Sequence, residues 1–399
     1  MNRFDVVVSG SGVVGAVAAL GLARAGLRIA LVERAPPAIP TAVPANQRVI
    51  ALAPAGAQIL SALGHWPLPS AMASAYRQMQ VQAGSHQLGF DPATAGTAAL
   101  GWIVDLPALQ QRLWQALPAS VQVFARARIE NTRIESSLVA VELDTGPRLS
   151  TALLVVAEGG RSALRERAGI AVGGRDYRSS AITALLRTEM INPGIAFQRF
   201  GPGGPLALLP LADGRSSLVW TRPQAEAERL LGLSDADFIE PLQAAGGDRF
   251  GAVLEVGARQ SFPLRLMLAE RATAERMVLI GDSAHVVHPL AGLGLNLGLL
   301  DAAALVDTLV SARARSRDLG GATTLARYAA WRHGDNLLAA RLIDRIEQAF
   351  AVSDTPLART AAHGLDIVQA IGPLRHFFAQ QAIGWGGRVP RLARATHDS

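Results

Sequence analysis

The chain has 399 residues, half of them apolar, and a formal net charge of +6, a length that suits two domains with a shared core. It contains no cysteine, which excludes disulfides, thiolate metal sites and a cysteine nucleophile, and no lysine, which excludes Schiff-base chemistry. All 38 basic residues are therefore arginines, and because they are scattered rather than clustered, the sequence does not indicate a nucleic-acid-binding surface.

The first predicted element is a strand–turn–helix–strand unit over residues 5–33. Its turn carries the pattern G-x-G-x-x-G at Gly10, Gly12 and Gly15. The first glycine permits the tight turn, the second lets backbone approach a pyrophosphate, and the third lets the helix pack closely on the strand. Glu33, which ends the second strand, is placed to accept hydrogen bonds from ribose hydroxyls. The unit predicts a dinucleotide site, and it leaves NAD and FAD as alternatives.

A second predicted strand lies in the middle of the chain, and a glutamate and a glycine follow it. The apolar run 153–157 leads into Glu158 and Gly159, and Ser162 precedes a short helix. Alone, this could be an ordinary strand-to-helix turn with a serine cap. Together with the first unit, it is a candidate for a second contact with the nucleotide.

The third unit is the segment "MVLIGDSAHVVHPLAGLGLNLGLLDAAAL". Asp282 stands at the carboxyl end of its strand, where it is placed to accept hydrogen bonds from a ribose or ribityl hydroxyl. Gly292 and Gly294 leave backbone N–H groups uncovered, so that a flat polar ring could lie on them. The two histidines of the segment lack a third ligand nearby, and we therefore predict no metal site.

These three units are widely separated along the chain, although each carries an acid and glycines at a strand end. A stand-alone NAD domain would usually end within about 150 residues. A single site that draws on three distant segments suits a large, extended ligand. The sequence therefore favours FAD over NAD.

The three units together resemble the class A flavin monooxygenases and, more narrowly, the ubiquinone-biosynthesis hydroxylases of the UbiH/UbiF/VisC family. The resemblance extends over nearly the whole chain and includes "NQRVIALAPAGAQILSALGHW", "FQRFGPGGPLALLPL" and "SLVWT". It implies non-covalent FAD, with NADH or NADPH as co-substrate. The residues that it assigns to cofactor binding are Gly10, Gly12, Gly15, Glu33, Arg34, Arg48, Glu158, Gly159, Asp282, Gly292, Gly294, Leu295 and Asn296, and the catalytic candidates are His288 and Pro289.

The chain departs from the family pattern at three positions. Glu158 replaces the usual Asp, Leu293 replaces a usual Gln in the flavin loop, and Pro107 stands where an arginine is common. Each change is expected to remove or displace one polar contact to the cofactor. We accordingly expect Glu158→Asp to be neutral or to improve FAD retention.

The resemblance implies an α/β fold with a Rossmann-like FAD-binding domain of the p-hydroxybenzoate hydroxylase (GR2) type. The FAD-binding domain would be discontinuous, over residues 1–72, 100–180 and 262–350. Residues 73–99 and 181–261 would form an antiparallel-sheet substrate domain above the flavin, and 351–399 would form a helical tail.

The reaction implied by the resemblance starts with reduction of FAD by NAD(P)H. The reduced flavin then binds O2 as a C4a-hydroperoxide, which hydroxylates the aromatic ring of a polyprenylated phenol in ubiquinone biosynthesis. The protein would supply position and exclusion of water. The alternatives are a flavin-dependent reductase of isoprenoid or quinone substrates and a non-catalytic flavin-binding subunit of a biosynthetic complex.

The tail has two interpretations: a helix that packs on the body, or a helix that docks on a membrane or a ubiquinone-biosynthesis complex. In the docking hypothesis the contacts are Phe377, Phe378, Ile383 and Trp385, with Arg388, Arg391 and Arg394 meeting lipid phosphates. The sequence has no run of about eighteen uncharged apolar residues and no signal-peptide pattern. We therefore expect a cytoplasmic protein, which the docking hypothesis would place peripherally on the inner membrane.

Overall fold

The fold is described from a computed structural model that covers residues 2–37, 48–350, 356–384 and 387–394. The elements of the first half are β1 (Asn2–Ser9), α1 (Val13–Arg24), β2 (Ile29–Glu33), β3 (Val49–Leu52), α2 (Pro54–Ala62), β4 (Ala73–Tyr76), β5 (Gln78–Ala83), β6 (His86–Phe90), α3 (Pro92–Ala95), β7 (Gly101–Asp105), α4 (Leu106–Gln115), β8 (Val121–Ala125), β9 (Ile129–Glu135), β10 (Leu138–Leu143), β11 (Arg148–Val156) and α5 (Ala163–Arg167).

The second half begins with a long strand and ends in helices. Its elements are β12 (Val172–Thr188), β13 (Ile195–Gly201), β14 (Gly204–Pro210), β15 (Ser216–Pro223), α6 (Gln224–Leu231), α7 (Asp235–Gly246), β16 (Val253–Val256), β17 (Gln260–Ala269), β18 (Thr273–Ala274), β19 (Met277–Leu279), β20 (His285–Val286), α8 (Leu293–Arg313), α9 (Ala322–Phe350), α10 (Pro356–Ala370) and α11 (Gly372–Ala382). Single 3-10 turns lie at Gly281–Ser283, Leu290–Gly292 and Arg391–Ala393.

A parallel sheet forms the centre of the FAD-binding part. Its strands lie in the order β18-β19-β11-β1-β2-β8, and β19, β11, β1, β2 and β8 are mutually parallel. Near-continuous valine, isoleucine and leucine runs fit strands that are buried on both faces. Because the strands are parallel, the carboxyl ends of β1, β2, β11 and β19 meet at one edge. The three acid-and-glycine units therefore converge, as the sequence predicted.

A second, mostly antiparallel sheet forms the substrate part, in the order β20-β17-β12-β15-β14-β13-β5-β6, with β16 paired to β12. Helices α6 and α7 cover one face, where Phe238 packs on Trp220. β12 and β17 run without interruption through the predicted boundaries at 180/181 and 261/262, so both strands span the two parts. Strand β4 pairs with β7 of the FAD-binding part rather than with this sheet.

The C-terminal segment packs on the body. Ile383 is 1% exposed and contacts a cluster that includes Leu100, so its predicted role in docking is wrong. Ala393 is fully buried, and the backbone N–H of Arg391 donates to Asp307 at 2.8 Å. Trp385, another predicted docking residue, lies outside the described residues. Helix α8 is long and apolar enough to cross a membrane, but most of it is buried inside the protein, which is typical of a core helix.

Candidate active site

The glycine turn after β1 has the geometry that a pyrophosphate site requires. A Cβ on Gly10, whose φ is +100°, would lie 2.3 Å from the carbonyl oxygen of Ala157, and one on Gly15 would lie 2.0 Å from that of Gly10. Both positions therefore require glycine, because a Cβ would clash with the carbonyl oxygen. Around Gly12 no atom lies within 4 Å of the missing Cβ, and no side chain caps the N-terminus of α1. The open space and the free N–H groups fit the phosphates of FAD.

Glu33, at the end of β2, stabilises this turn by hydrogen bonds. Its Oε2 accepts hydrogen bonds from the backbone N–H of Ser11 at 2.6 Å and from the Ser11 hydroxyl at 2.8 Å, and its Oε1 accepts from Ala35 at 2.7 Å. One acceptor position on Oε1 is left for a ribose hydroxyl. Arg34 is exposed beside it. Glu33 thus has a structural role that the sequence did not reveal, and its contact with the cofactor stays a prediction.

Glu158 joins two elements of the site. Its Oε1 accepts from the hydroxyl of Ser9 at 2.7 Å, and its Oε2 accepts from the Ser162 hydroxyl at 2.7 Å and from the backbone N–H of Leu164 at 3.3 Å. The carboxylate therefore ties the end of β1 to the start of α5. The side-chain length matters here, because a shorter acid could not span both serines. Gly159, with φ +83°, has open space around its missing Cβ.

Arg165 joins the turn after β11 to the turn after β19 by hydrogen bonds. Its guanidinium, 3% exposed, donates to the carbonyl oxygens of Gly160 at 3.1 Å and Ser283 at 3.3 Å. The Ser283 hydroxyl in turn donates to the carbonyl of Gly159 at 3.3 Å. The sequence analysis missed this residue, although an arginine on the inward side of a short helix was a possible signal.

Asp282 lies beside two arginines. Desolvation by the surrounding protein raises the pKa of its carboxyl, while His285, Arg48 and Arg265 pull that pKa down. The structure thus brings Arg48 and Asp282, both predicted to bind the cofactor, close together. The side chain itself is exposed to solvent. The carboxylate is therefore accessible to a ligand.

The start of α8 offers backbone groups to a ligand. No side chain caps this terminus, so the N–H groups of Leu293, Gly294 and Leu295 are available. Gly292 has φ +64°, and a Cβ there would lie 2.7 Å from that of Ala51. Pro107, another departure from the family, occupies the first turn of α4, a position at which proline fits a helix.

The side chain of Asn296 makes hydrogen bonds within the protein. Its Nδ2 donates to the carbonyl oxygens of Ala51 and Gly292 at 2.8 and 2.9 Å, and its Oδ1 accepts from the N–H of Ala53 at 2.8 Å. Both amide hydrogens are used within the protein, so a contact between Asn296 and the cofactor, which stays a prediction, would have to use its backbone. Asn296 fixes the flavin loop on the junction between β3 and α2.

His288 is buried rather than presented to a substrate. Its ring is 2% exposed and packs edge-on against Tyr177, with 5.3 Å between ring centroids, and its Nδ1 accepts from the N–H of Leu290 at 3.3 Å. Burial lowers its pKa to about 4, so the ring is neutral near pH 7. The catalytic role of His288 stays a prediction. Pro289 is half-buried at the start of a 3-10 turn, and its role stays a prediction.

A fully buried carboxylate, Asp301, supports the turn that carries Asp282. It accepts hydrogen bonds from His285 Nε2 at 2.6 Å, Gly281 N at 3.1 Å, Arg332 Nε at 2.8 Å and Asn336 Nδ2 at 2.8 Å. Burial would raise its pKa, but His285 and Arg332 hold it at about 2. In the described ranges no three potential metal ligands lie together, and the partner of His285 is this carboxylate.

Comparisons with known proteins agree with this geometry. The family model described as FAD binding domain matches residues 3–335. The ubiquinone hydroxylase UbiL of Rhodospirillum rubrum is 34% identical over 397 residues, which cover 98% of this chain and 92% of that protein. The 3-demethoxyubiquinol 3-hydroxylase of Escherichia coli is 32% identical over 393 residues, covering 95% of this chain and 98% of that protein.

Among solved structures, p-nitrophenol 4-monooxygenase PnpA from Pseudomonas putida DLL-E4 has a TM-score of 0.79 at 19% identity, covering 98% of this chain and all of that one. This likeness confirms the predicted fold, and the family match confirms FAD as the cofactor. The chain belongs to the FAD binding domain family and is an FAD-dependent monooxygenase of the ubiquinone-hydroxylase type.

Proposed function

We propose that this protein hydroxylates the aromatic ring of a polyprenylated phenol in ubiquinone biosynthesis, with NADH or NADPH as reductant and O2 as the oxygen source. The observation that carries the proposal is the alignment with two ubiquinone hydroxylases over at least 95% of this chain. The convergence of three FAD-binding units at one sheet edge supports it. Such end-to-end similarity argues for a shared reaction type more strongly than a shared cofactor domain would.

The residues of the chain would divide the work of binding and orientation. Bound FAD supplies the redox and oxygen chemistry. The turn at Gly12 and the N-terminus of α1 would hold the pyrophosphate, and Asp282 with the first turn of α8 would hold the flavin side. Glu158, Arg165 and Asp301 would fix these segments relative to one another through the hydrogen bonds described above.

The direct test is turnover of a short-chain prenylated phenol with NADH or NADPH under 18O2. We expect a product that carries one labelled oxygen. A product that forms equally well without O2 would identify the reductase alternative. Failure of both nucleotides to bleach the flavin, with or without the phenol, would favour the non-catalytic subunit. In a deletion strain, the accumulated quinone precursor would identify the ring position.

We further propose that the enzyme meets its substrate on the anionic surface of the inner membrane, because a polyprenyl chain has negligible aqueous concentration. The solvent face of α9 supports this proposal. Leu338, Leu342 and Ile346 are 69%, 40% and 36% exposed, and Arg341 and Arg345 are also exposed. On a helical wheel the five residues span about 140°. Aliphatic residues flanked by arginines are typical of helices that lie on anionic bilayers.

The charge of this α9 face is one-sided. Between residues 322 and 350, every exposed residue is Ala, Thr, Gly, Leu, Ile or Arg, with no acid among them. Asp335 on the same helix pairs with Arg332 at 3.3 Å. The carboxylate of Asp335 is 41% exposed on this side, so the face combines apolar area with a net excess of positive charge from Arg341 and Arg345.

Co-sedimentation with phosphatidylglycerol-containing vesicles tests the membrane proposal. Leu338→Ser combined with Leu342→Ser should reduce binding, whereas Ile191→Ser, which alters a residue 71% exposed in the loop after β12, should not. Equal binding to neutral phosphatidylcholine vesicles would contradict the charge argument. Point substitutions are preferable to removal of the tail, because Ile383 and Ala393 are buried.

A further inference from the structure

The substrate sheet has an outer face and an inner face, and two contacts between the inner face and the FAD-binding part lie on either side of its middle. At one place, Leu185 and Leu209 pack with Ala51 and Ile103. At the other, Phe200 stacks on Phe350 of α9, with 4.2 Å between ring centroids. The inner face therefore rests on two supports, one on each side of its middle.

A single row of side chains crosses the inner face between these supports. The strand registers place Gln198 opposite Ala207, Ala207 opposite Val219, and Val219 opposite Thr183. Ala207, Val219 and Thr183 are only half-buried, although they lie in the centre of the sheet. The FAD-binding part therefore leaves a gap below this row, between the sheet and the flavin loop.

Gln198 is the polar residue at the end of this row. Its side chain is 9% exposed, and within the described part of the chain no hydrogen bond reaches its amide. The amide atoms are still accessible, because they are not among the fully buried polar atoms that lack a hydrogen-bond partner. The amide is therefore free to form a hydrogen bond with a ligand in the gap.

The remaining side chains of the inner face indicate which ligand suits the gap. Over the paired rows 181–185, 196–200, 205–209 and 217–221 they are uncharged: Ala181, Thr183, Leu185, Ala196, Gln198, Phe200, Pro205, Ala207, Leu209, Ser217, Val219 and Thr221. A ring carboxylate would find no cationic partner in these rows. A neutral hydroxyl, which both donates and accepts, matches the amide, which also does both.

We propose that the side-chain amide of Gln198 binds the hydroxyl of a neutral phenol ring and so sets which ring carbon faces the flavin. The inference rests on the proposed function, since it assumes an aromatic substrate between the sheet and the flavin loop. It makes Gln198 a substrate-binding and specificity residue. The apolar part of the row, Ala207 and Val219, would contact the ring face.

The experiment compares FAD-loaded wild type with Gln198→Leu, which has a similar volume and no hydrogen-bonding group. Gln80→Leu is the matched control, because Gln80 lies opposite Phe197 in the register and therefore on the outer face of the same sheet. The probes are a short-chain prenylated phenol, the same molecule without the hydroxyl, and the phenol with an added ring carboxylate. The Kd of each is measured from the change in flavin absorbance, and kcat and KM are measured for the phenol.

Wild type and Gln80→Leu should bind the phenol about tenfold more tightly than the analogue without the hydroxyl, as one hydrogen bond predicts. Gln198→Leu should lose this preference by binding the phenol about tenfold more weakly while binding the analogue unchanged. Its product should also contain a wider distribution of ring positions. The carboxylated probe should bind weakly to all three proteins.

Three results would overturn the inference. They are an unchanged preference in Gln198→Leu, an equal loss for both ligands together with loss of FAD, and tight binding of the carboxylated probe. If wild type binds the phenol but does not hydroxylate it, the proposed function fails while the Kd comparison still tests Gln198. If wild type does not bind the phenol at all, both fail.

Discussion

Arg332 on α9 lies between two carboxylates, one buried and one exposed. Replacing each carboxylate in turn therefore compares the contribution of a buried ion pair to stability with that of an exposed one. Its Nε lies 2.8 Å from Oδ1 of Asp301, which is fully buried. Its Nη1 lies 3.3 Å from Oδ2 of Asp335, which is 41% exposed. The guanidinium itself is 3% exposed, so it depends on Asp301 for its counter-charge.

We expect Asp301→Ala to lower the free energy of unfolding by about 3–5 kcal/mol, because it leaves a buried charge without compensation. It also removes the acceptor of His285 and of the Gly281 N–H. Asp335→Ala should cost at most about 1 kcal/mol, since its partner interaction is exposed to solvent. The pKa of Asp301 is lowered to about 2, so its stabilisation is fully present above its ordinary pKa of about 4 and is lost as the pH falls towards 2.

The assay is urea unfolding of the FAD-loaded proteins at pH 7, followed by far-ultraviolet circular dichroism and by flavin fluorescence. Coincident transitions from the two probes would justify two-state free energies. Flavin release well before loss of helix in Asp301→Ala would show that the turn at Asp282 loosens first. Comparable losses in the two variants would refute the reasoning, since they would mean that burial does not distinguish the two carboxylates.

Three other predictions follow from the site. The purified protein should be yellow and should release intact FAD on denaturation; colourless protein that takes up no added FAD would contradict the geometry at Gly12. Glu158→Asp should weaken FAD retention rather than improve it, because the shorter side chain must give up Ser9 or Ser162; equal or better retention by equilibrium dialysis would show that the serine contacts are dispensable. His288 has its pKa lowered from 6.5 to about 4 by burial, so the unfolded chain takes up the proton first and stability should fall as the pH drops from 6.5 to 4. His288→Gln should make that fall shallower, and an unchanged slope in urea midpoints would count against it.

The sequence predicted those parts of the site that follow from local rules. The pattern at Gly10, Gly12 and Gly15 encodes a turn within six residues, and the parallel strands then bring Glu33 and Glu158 to the same edge without further information. The long-range partners were not predictable in this way. Ser9 lies 149 residues from Glu158, and Arg165 lies 118 residues from Ser283.

Three polar residues of the site show that residue type does not determine burial or partners. Asp282 is exposed, whereas His288 is buried. The side chain of Asn296 is held by backbone groups more than 240 residues away. In each case the sequence identified the polar residue, and its surroundings depend on parts of the chain that lie far away in sequence.

The polar groups within the apolar segment 277–305 therefore have a common role, which is to hold the flavin loop in position. A ring that lies on the backbone of Gly292 and Gly294 requires that backbone to be held to within about half an ångström, and apolar packing alone is weakly directional. Asn296 fixes the loop to the first part of the chain, and Asp301 fixes the preceding turn to α9. Both anchors consist of buried hydrogen bonds. Breaking either leaves polar groups unsatisfied, and the loop must move before these groups can find other partners. Substitutions at these anchors should consequently change the flavin spectrum even where FAD stays bound, whereas substitutions at exposed Asp282 should change affinity first.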